Sequence, residues 1–145
     1  MSGSREFVIE FYEDEAGDQP VKRWMREGLS ATKRRALGKA MQHVLQAYGT
    51  AVCKTRYGRQ LGAGLFEFRL DENLREIVHK YGGKLSEAGD EGDPVLLRVF
   101  CHAHGNKIIL LLGGYDKGSS PGKRAQSQQI ELARKRLRDW KSREQ

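Results

Sequence analysis

The stretch Ile108 to Tyr115, IILLLGGY, leaves the chain the fewest options. Its residues show neither the alternation of a half-wet strand nor the spacing of a surface helix. A run of this length, apolar until two glycines close it, reads as a central strand. A second apolar run, PVLLRVFCHAH from Pro94 to His104, precedes it across a Gly-Asn pair, and the arrangement predicts a tight hairpin. Directly after Tyr115 the chain turns basic and flexible (DKGSSPGKR). A lysine and a polar loop are thus aimed off the end of a buried strand, which no hydrophobic core requires.

Around this hairpin the other elements follow from period and punctuation. REFVIEFYED predicts a strand over about 6–12, and the acidic EDEAGDQ after it predicts a loop. QPVKRWMREG reads as a short helix opened by Pro20 and stopped by Gly28, with Val21, Trp24 and Met25 on its buried face. Leu37, Ala40, Met41, Val44, Leu45 and Tyr48 fall on one face of a longer helix, capped by Ser30 or Thr32 and followed by Gly49. CKTRYGRQLGAG is expected as a basic loop. LFEFRL is expected as a strand with Glu67 and Arg69 on one face and Phe66 and Phe68 on the other. Residues 71–93 are uneven, with a strand extension through Ile77 and Val78 expected before a Gly- and acid-rich loop. The last segment, about Lys123 to Lys141, is helical by the stripe Ile130, Ala133, Leu137 and Trp140, with Arg134, Lys135, Arg136 and Arg138 expected to stay wet. The fold class expected is α+β: a small antiparallel sheet with two N-terminal helices and a C-terminal helix packed on it.

At 145 residues the chain reads as one domain, 1–145. Its net charge of +7 favours a polyanionic partner. That charge is segregated. Residues 1–64 hold 11 Lys and Arg against 7 Asp and Glu, 65–116 hold 6 against 9, and 117–145 hold 9 against 3. Basic charge therefore flanks a middle that reads as sheet. Cys53 and Cys101 are too few for a disulfide framework and read as free thiols in a reducing compartment. No apolar run approaches the roughly 18 residues that span a membrane, and the start lacks the apolar core of a signal sequence. A cytoplasmic protein with no membrane partner is expected.

The familiar catalytic patterns are missing from the sequence: no GxSxG, no phosphate-binding P-loop and no paired-glycine fingerprint. His102 and His104 in CHAH would share a strand face, but no second Cys/His cluster accompanies them, so neither a metal site nor a cofactor is assigned. What remains is a basic constellation. Arg69 lies inside one strand, Arg98 inside another, and Lys117 follows the third. If 65–70 and 95–101 are neighbours, Arg69 and Arg98 face the same way on an open basic face; the alternative is ordinary surface arginines, with Arg69 paired to Glu67 or Asp71. Guanidinium groups brace a phosphate and stabilise charge growing on it in the transition state. A nearby Glu, Lys or His moves protons between a ribose 2′-hydroxyl and the leaving oxygen. The 2′-hydroxyl restricts such chemistry to RNA.

LGAGLFEFRL, then LLRVFCHAHGNKIILLLGGYDKGSSPGK, then a helix near QQIELARKR, resembles the RelE/HigB superfamily of type II toxin–antitoxin toxins, in its phage-derived HigB-like branch. The likeness covers roughly residues 60–140. The branch shows a strand reading LxELR, a strand arginine, an apolar strand ending in GFxKK, a Pro-containing loop and an Ala/Arg-rich helix. The resemblance implies a metal-independent, ribosome-dependent mRNA endonuclease that inhibits translation. Its implied partners are the ribosome, mRNA and a cognate antitoxin, a helix-turn-helix protein from the adjacent gene. A gyrase-inhibiting ParE-like mode and a non-catalytic RNA- or antitoxin-binding role are the alternatives. Carried over by position, Glu67, Arg69, Arg98 and Lys117 are the catalytic candidates, with Tyr115 at the aromatic of GF. Lys54, Arg56, Arg59, Lys123 and Arg124 are the expected RNA contacts. The chain departs from the pattern at Asp116, at Gly118 in place of a second lysine, in the long 71–93 insertion, and in having no tyrosine after Tyr115.

Overall fold

The computed structural model describes residues 6–82 and 94–144. Among them five strands form one mixed sheet in the order β1-β5-β4-β3-β2. They are β1 (Val8–Phe11), β2 (Gly58–Gly62), β3 (Leu65–Asn73), β4 (Pro94–His104) and β5 (Ile108–Asp116). β5 lies between two neighbours, and Ile109, Leu110, Leu111 and Leu112 are fully buried, as its continuous apolar character requires. The β4–β5 connection takes three residues rather than two, with Gly105 and Lys107 at positive φ. The wholly antiparallel sheet expected from the sequence is corrected by β1, which pairs with β5 in parallel (Val8 with Ile108, Phe11 with Leu111). No hairpin joins these two strands. The chain passes through a helical layer and three other strands between them, so a tight turn does not dictate their relative direction.

Two segments differ from expectation. The expected basic loop contains β2, an edge strand paired with β3 through a bulge between Gln60 and Gly62. An edge strand with exposed Arg59 and Gln60 shows no apolar pattern to announce it. The expected strand extension at Ile77 and Val78 is instead a helix, Leu74–Tyr81, the fourth α-helix along the chain (α4). Asn73 Oδ1 accepts from the Glu76 amide at 2.8 Å, and Glu76 Oε1 accepts from the Asn73 amide at 3.0 Å. This reciprocal capping box starts the helix, and Leu74 and Ile77, three apart, form its buried face. The Gly- and acid-rich loop expected after it falls, over 83–93, outside the described residues.

The helical layer covers one face of the sheet. It contains α1 (Pro20–Arg23), which widens into a π turn over Trp24–Gly28, and α2 (Ala31–Ala40), capped by Ser30 Oγ accepting from the Lys33 amide at 3.2 Å. α2 widens into a second π turn over Met41–Leu45 before α3 (Gln46–Tyr48). Leu37, Ala40, Met41 and Leu45 are buried as their spacing predicts, but Tyr48 is 62% exposed. The π turn explains the change, because an extra residue in the turn rotates everything after it around the helix axis. Gly49, at φ +55, ends the helix where a Cβ would fall 2.3 Å from the Phe7 ring. Completed by α4, this layer packs Val21, Leu37, Leu45 and Ile77 against Phe66, Phe68, Val99 and Leu111.

The other sheet face carries α5 (Lys123–Arg143). Ala133 and Leu137 bury against Leu65, Phe100, Leu110 and Leu112, with Ile130 and Trp140 half-buried beside them. Trp140 meets the rings of His102 and His104 at centroid distances of 5.7 and 4.5 Å. The basic flank expected to stay wet is corrected at two positions. Arg134 donates to the carbonyls of Leu61 (2.6 Å) and Gly62 (3.2 Å), and Arg136 to that of Leu112 (2.9 Å). Both reach main-chain acceptors at a turn and a strand, so these two arginines fasten the helix. Among the described residues no helix is long and apolar enough to cross a membrane.

Candidate functional site

The α5 face of the sheet divides along its length. Toward the His102–His104 end it is apolar and ring-lined. In the middle of β3 and at the start of β4 it becomes charged. β3 places Leu65, Glu67, Arg69 and Asp71 on this face by simple alternation. Cross-strand register does the rest: Arg59 stands opposite Glu67, Arg69 opposite Arg98, and Arg98 opposite Tyr115. Residues directly opposite share a face, so the two strand arginines do point the same way. Like charges in direct register are unfavourable, and each arginine is offset by a carboxylate two positions along β3 or beside it. Arg69 Nε lies 3.5 Å from Glu67 Oε1, and Arg59 Nε lies 3.6 Å from the same oxygen. Arg98 takes Asp71 in a two-pronged pair, Nη1 to Oδ1 and Nη2 to Oδ2, the latter at 3.4 Å.

The expected open face is in fact a largely buried charged cluster with an exposed edge. Glu67 and Arg98 are 0% and 1% exposed, and Tyr115 is 5% exposed, so these three form the buried part. Arg59, Arg69 and Asp71, with side chains 45, 29 and 41% exposed, form the edge. Sequence alternation sees which face a residue takes, but burial depends on what packs beside it. Five polar atoms here are buried without a hydrogen-bond partner among the described residues: both Glu67 carboxylate oxygens, Arg69 Nε, Arg98 Nε and the Tyr115 hydroxyl. Native interiors satisfy nearly all such atoms, so five gathered on one patch single this cluster out, although Arg69 Nε and Glu67 Oε1 are ion-paired at 3.5 Å. Tyr115 stacks on Phe100 at 6.1 Å and 9°. Burial, with the Glu67 charge next in weight, pushes its hydroxyl pKa up, so at neutral pH it is a neutral donor.

The remaining candidates separate. Lys117 sits half-buried on the turn after β5, its amide donating to the Leu96 carbonyl at 2.7 Å, beside the strand that carries Arg98. Asp116 belongs to the opposite face, where its Oδ2 accepts from Lys33 Nζ at 2.7 Å. Its Oδ1 accepts from the Gly118 amide at 2.9 Å, which orders the turn bearing Lys117. Of the five expected RNA contacts, Arg59 joins the site. Lys54 ends the 3-10 turn Gly49–Lys54 in the helical layer, and Arg56 leans on the Tyr57 ring and pairs with Glu72 at 3.7 Å. Lys123 and Arg124 are exposed at the start of α5. No histidine serves the site. His102 is four residues from Arg98, about 14 Å along a strand. Its Nδ1 bonds the Gly64 carbonyl (2.8 Å), and His104 Nε2 bonds Glu10 (2.9 Å).

Asp71 was not singled out beforehand as a site residue, although its parity with Glu67 and Arg69 was visible in LFEFRLD. Its partner was not, because Arg98 reaches it only through the β3–β4 register. The described residues hold no group of three or more His, Cys, Asp or Glu arranged to bind a metal ion. Cavities of about 370 and 450 Å³ lie between α1, the Asp14–Asp18 turn and α5, the first reaching Gly114 of β5, and neither is lined by this charged cluster. No protein-family model and no curated protein matches the chain, so the reading of this face rests on its own residues.

Proposed function

We propose that the Arg69–Arg98 cluster binds an RNA phosphodiester and cleaves it, and that the chain is a toxin-type, ribosome-dependent mRNA endonuclease of RelE/HigB kind, restrained by a cognate antitoxin. One observation carries the chemistry. Two guanidinium groups stand in direct register, each with a buried Nε that makes no hydrogen bond among the described residues, beside a buried carboxylate whose two oxygens accept none and which is ion-paired to Arg69 and Arg59. The first pair of groups suits a phosphate, and the carboxylate suits a proton acceptor. The mixed α+β architecture, with α5 on the site face, agrees in general outline with the family resemblance.

In this reading the ribose 2′-oxygen attacks phosphorus as its proton passes to Glu67. The phosphorus–O5′ bond breaks, leaving a 2′,3′-cyclic phosphate. O5′ takes a proton from the Lys117 ammonium and departs as a 5′-hydroxyl. Arg69 and Arg98 hold the non-bridging oxygens as charge develops on them. Proton exchange with water restores Glu67 and Lys117. Primer extension on cellular mRNA after induced expression tests the proposal. Discrete cuts that vanish in Arg98→Lys are expected; DNA damage without cuts, or growth arrest with neither, overturns it.

A further inference from the structure

We propose that Asp71 is an internal phosphate surrogate: it occupies the Arg98 fork in the free protein and must swing out for substrate to enter. This rests on the reading of the Arg69–Arg98 cluster as a phosphodiester site. Arg98 is 1% exposed, and both its Nη atoms meet Asp71, whose own side chain is 41% exposed. Of the guanidinium fork's two hydrogen-bond partners among the described residues, Leu97 is buried and Asp71 is the one exposed to solvent. Its two oxygens meet the fork as two non-bridging phosphate oxygens would, since carboxylate and phosphate share that bidentate geometry. Glu67 cannot play this part. Its ion pairs run to the Nε atoms of Arg59 and Arg69 and not to the Arg98 fork. The remaining contact of the Arg98 fork, Nη1 to the Leu97 carbonyl at 3.2 Å, holds the guanidinium in place while Asp71 leaves. Asp71 thus imposes a selection step. Only a ligand with paired anionic oxygens replaces what it gives up, and a neutral or singly accepting group does not.

The consequence is a tax on affinity. If Asp71 occupies the fork nine-tenths of the time, apparent affinity for an anion falls about tenfold. The test compares wild type with Asp71→Asn, using a short single-stranded RNA carrying one non-cleavable 2′-deoxy position, and inorganic phosphate as a second probe. Asp71→Asn is expected to bind the RNA about tenfold tighter at fixed salt, in a manner abolished by Arg98→Lys. It is also expected to melt lower than wild type without phosphate, because Arg98 is left without its counterion. Phosphate should raise its melting temperature by more than it raises that of wild type, with chloride matched in ionic strength as the control. Equal or weaker binding by Asp71→Asn, with Arg98 dependence retained, overturns the surrogate and leaves the phosphodiester site standing. Binding that never depends on Arg98 overturns both. Should Asp71→Asn fail to fold, wild type carries the test. RNA should shift the Asp71 carboxyl carbon resonance as it leaves Arg98, and an unmoved resonance in the RNA-bound protein overturns the proposal.

Discussion

Arg98 and Glu67 are buried charges with incomplete hydrogen bonding, and substitutions there separate binding from chemistry. Arg98→Lys keeps the charge and loses the planar fork, so RNA cleavage by ribosome-bound protein should fall about a hundredfold, as when one donor to a developing oxyanion is removed. The same variant should remain folded by circular dichroism. Glu67→Gln preserves shape and removes the counter-charge of Arg59 and Arg69. Single-turnover kinetics should therefore show RNA bound at least as tightly and cleaved at least about a hundredfold more slowly. Unchanged turnover in Glu67→Gln would take the proton-acceptor role away from that residue. The two thiols make a simpler case. Burial pushes the pKa of Cys101 far up and that of half-buried Cys53 up as well. Mass spectrometry after alkylation at neutral pH should find Cys101 unmodified in the folded protein and Cys53 slow.

At the scale of elements, α5 joins two functions on one helix. Its middle is fastened by Arg134 to the β2–β3 turn, while Lys123 and Arg124 at its start are exposed. Arg134→Glu should lower stability by about 2 kcal/mol, having lost charged hydrogen bonds to two carbonyls. Lys123→Glu with Arg124→Glu should leave the melting curve within about 1 kcal/mol and weaken RNA binding. Matched thermal melts and binding curves decide both. Trp140 lies half-buried on two imidazoles, and Trp140→Ala should cost about 2 kcal/mol, below the range for a core tryptophan. The far end of α5 is held by Asp139, which accepts from the Tyr12 hydroxyl at 2.6 Å and from Arg143 Nη2 at 2.8 Å. Hydrogen bonding from Arg143, then from Tyr12, holds the Asp139 carboxyl below its ordinary range. A carboxylate lowered in the folded state contributes stability above its unfolded pKa of ~4 and loses it as pH falls through the folded value. Melting temperatures of wild type and Asp139→Asn should therefore differ near neutrality and converge as pH drops below ~4.

For the whole molecule, with a net charge of +7 concentrated toward both ends of the chain, the nucleic-acid binding proposed above should behave as an electrolyte effect. Each phosphate neutralised on a single strand contributes about −0.7 to the slope of log affinity against log salt. Engagement of Arg59, Arg69, Lys123 and Arg124 should then give a slope of about −3. Lys123→Glu with Arg124→Glu should flatten that slope by about half, because two of the four contacts are gone. Fluorescence anisotropy across a salt series checks both values, and a flat response in wild type would count against a polyanionic partner.

Much of this protein was legible in the chain itself. Continuous apolarity placed β5 inside the sheet, and period placed α2 and α5. Alternation put Glu67 and Arg69 on one face of β3, because side-chain direction in a strand is a local property of the backbone. Local chemistry also wrote the capping box at Asn73 and Glu76, although the apolar pair Ile77 and Val78 suggested a strand there. Contacts between distant segments were decided elsewhere. The parallel docking of β1, the edge strand β2 and the π turn that carries Tyr48 into solvent leave no periodic trace. The charged cluster is of the same kind. Glu67, Arg69 and Asp71 come from one strand, Arg98 from a second and Tyr115 from a third, and only cross-strand register brings them together. How deep each lies, and hence how strongly its charge is felt, is set by tertiary packing, since desolvation depends on every neighbour at once.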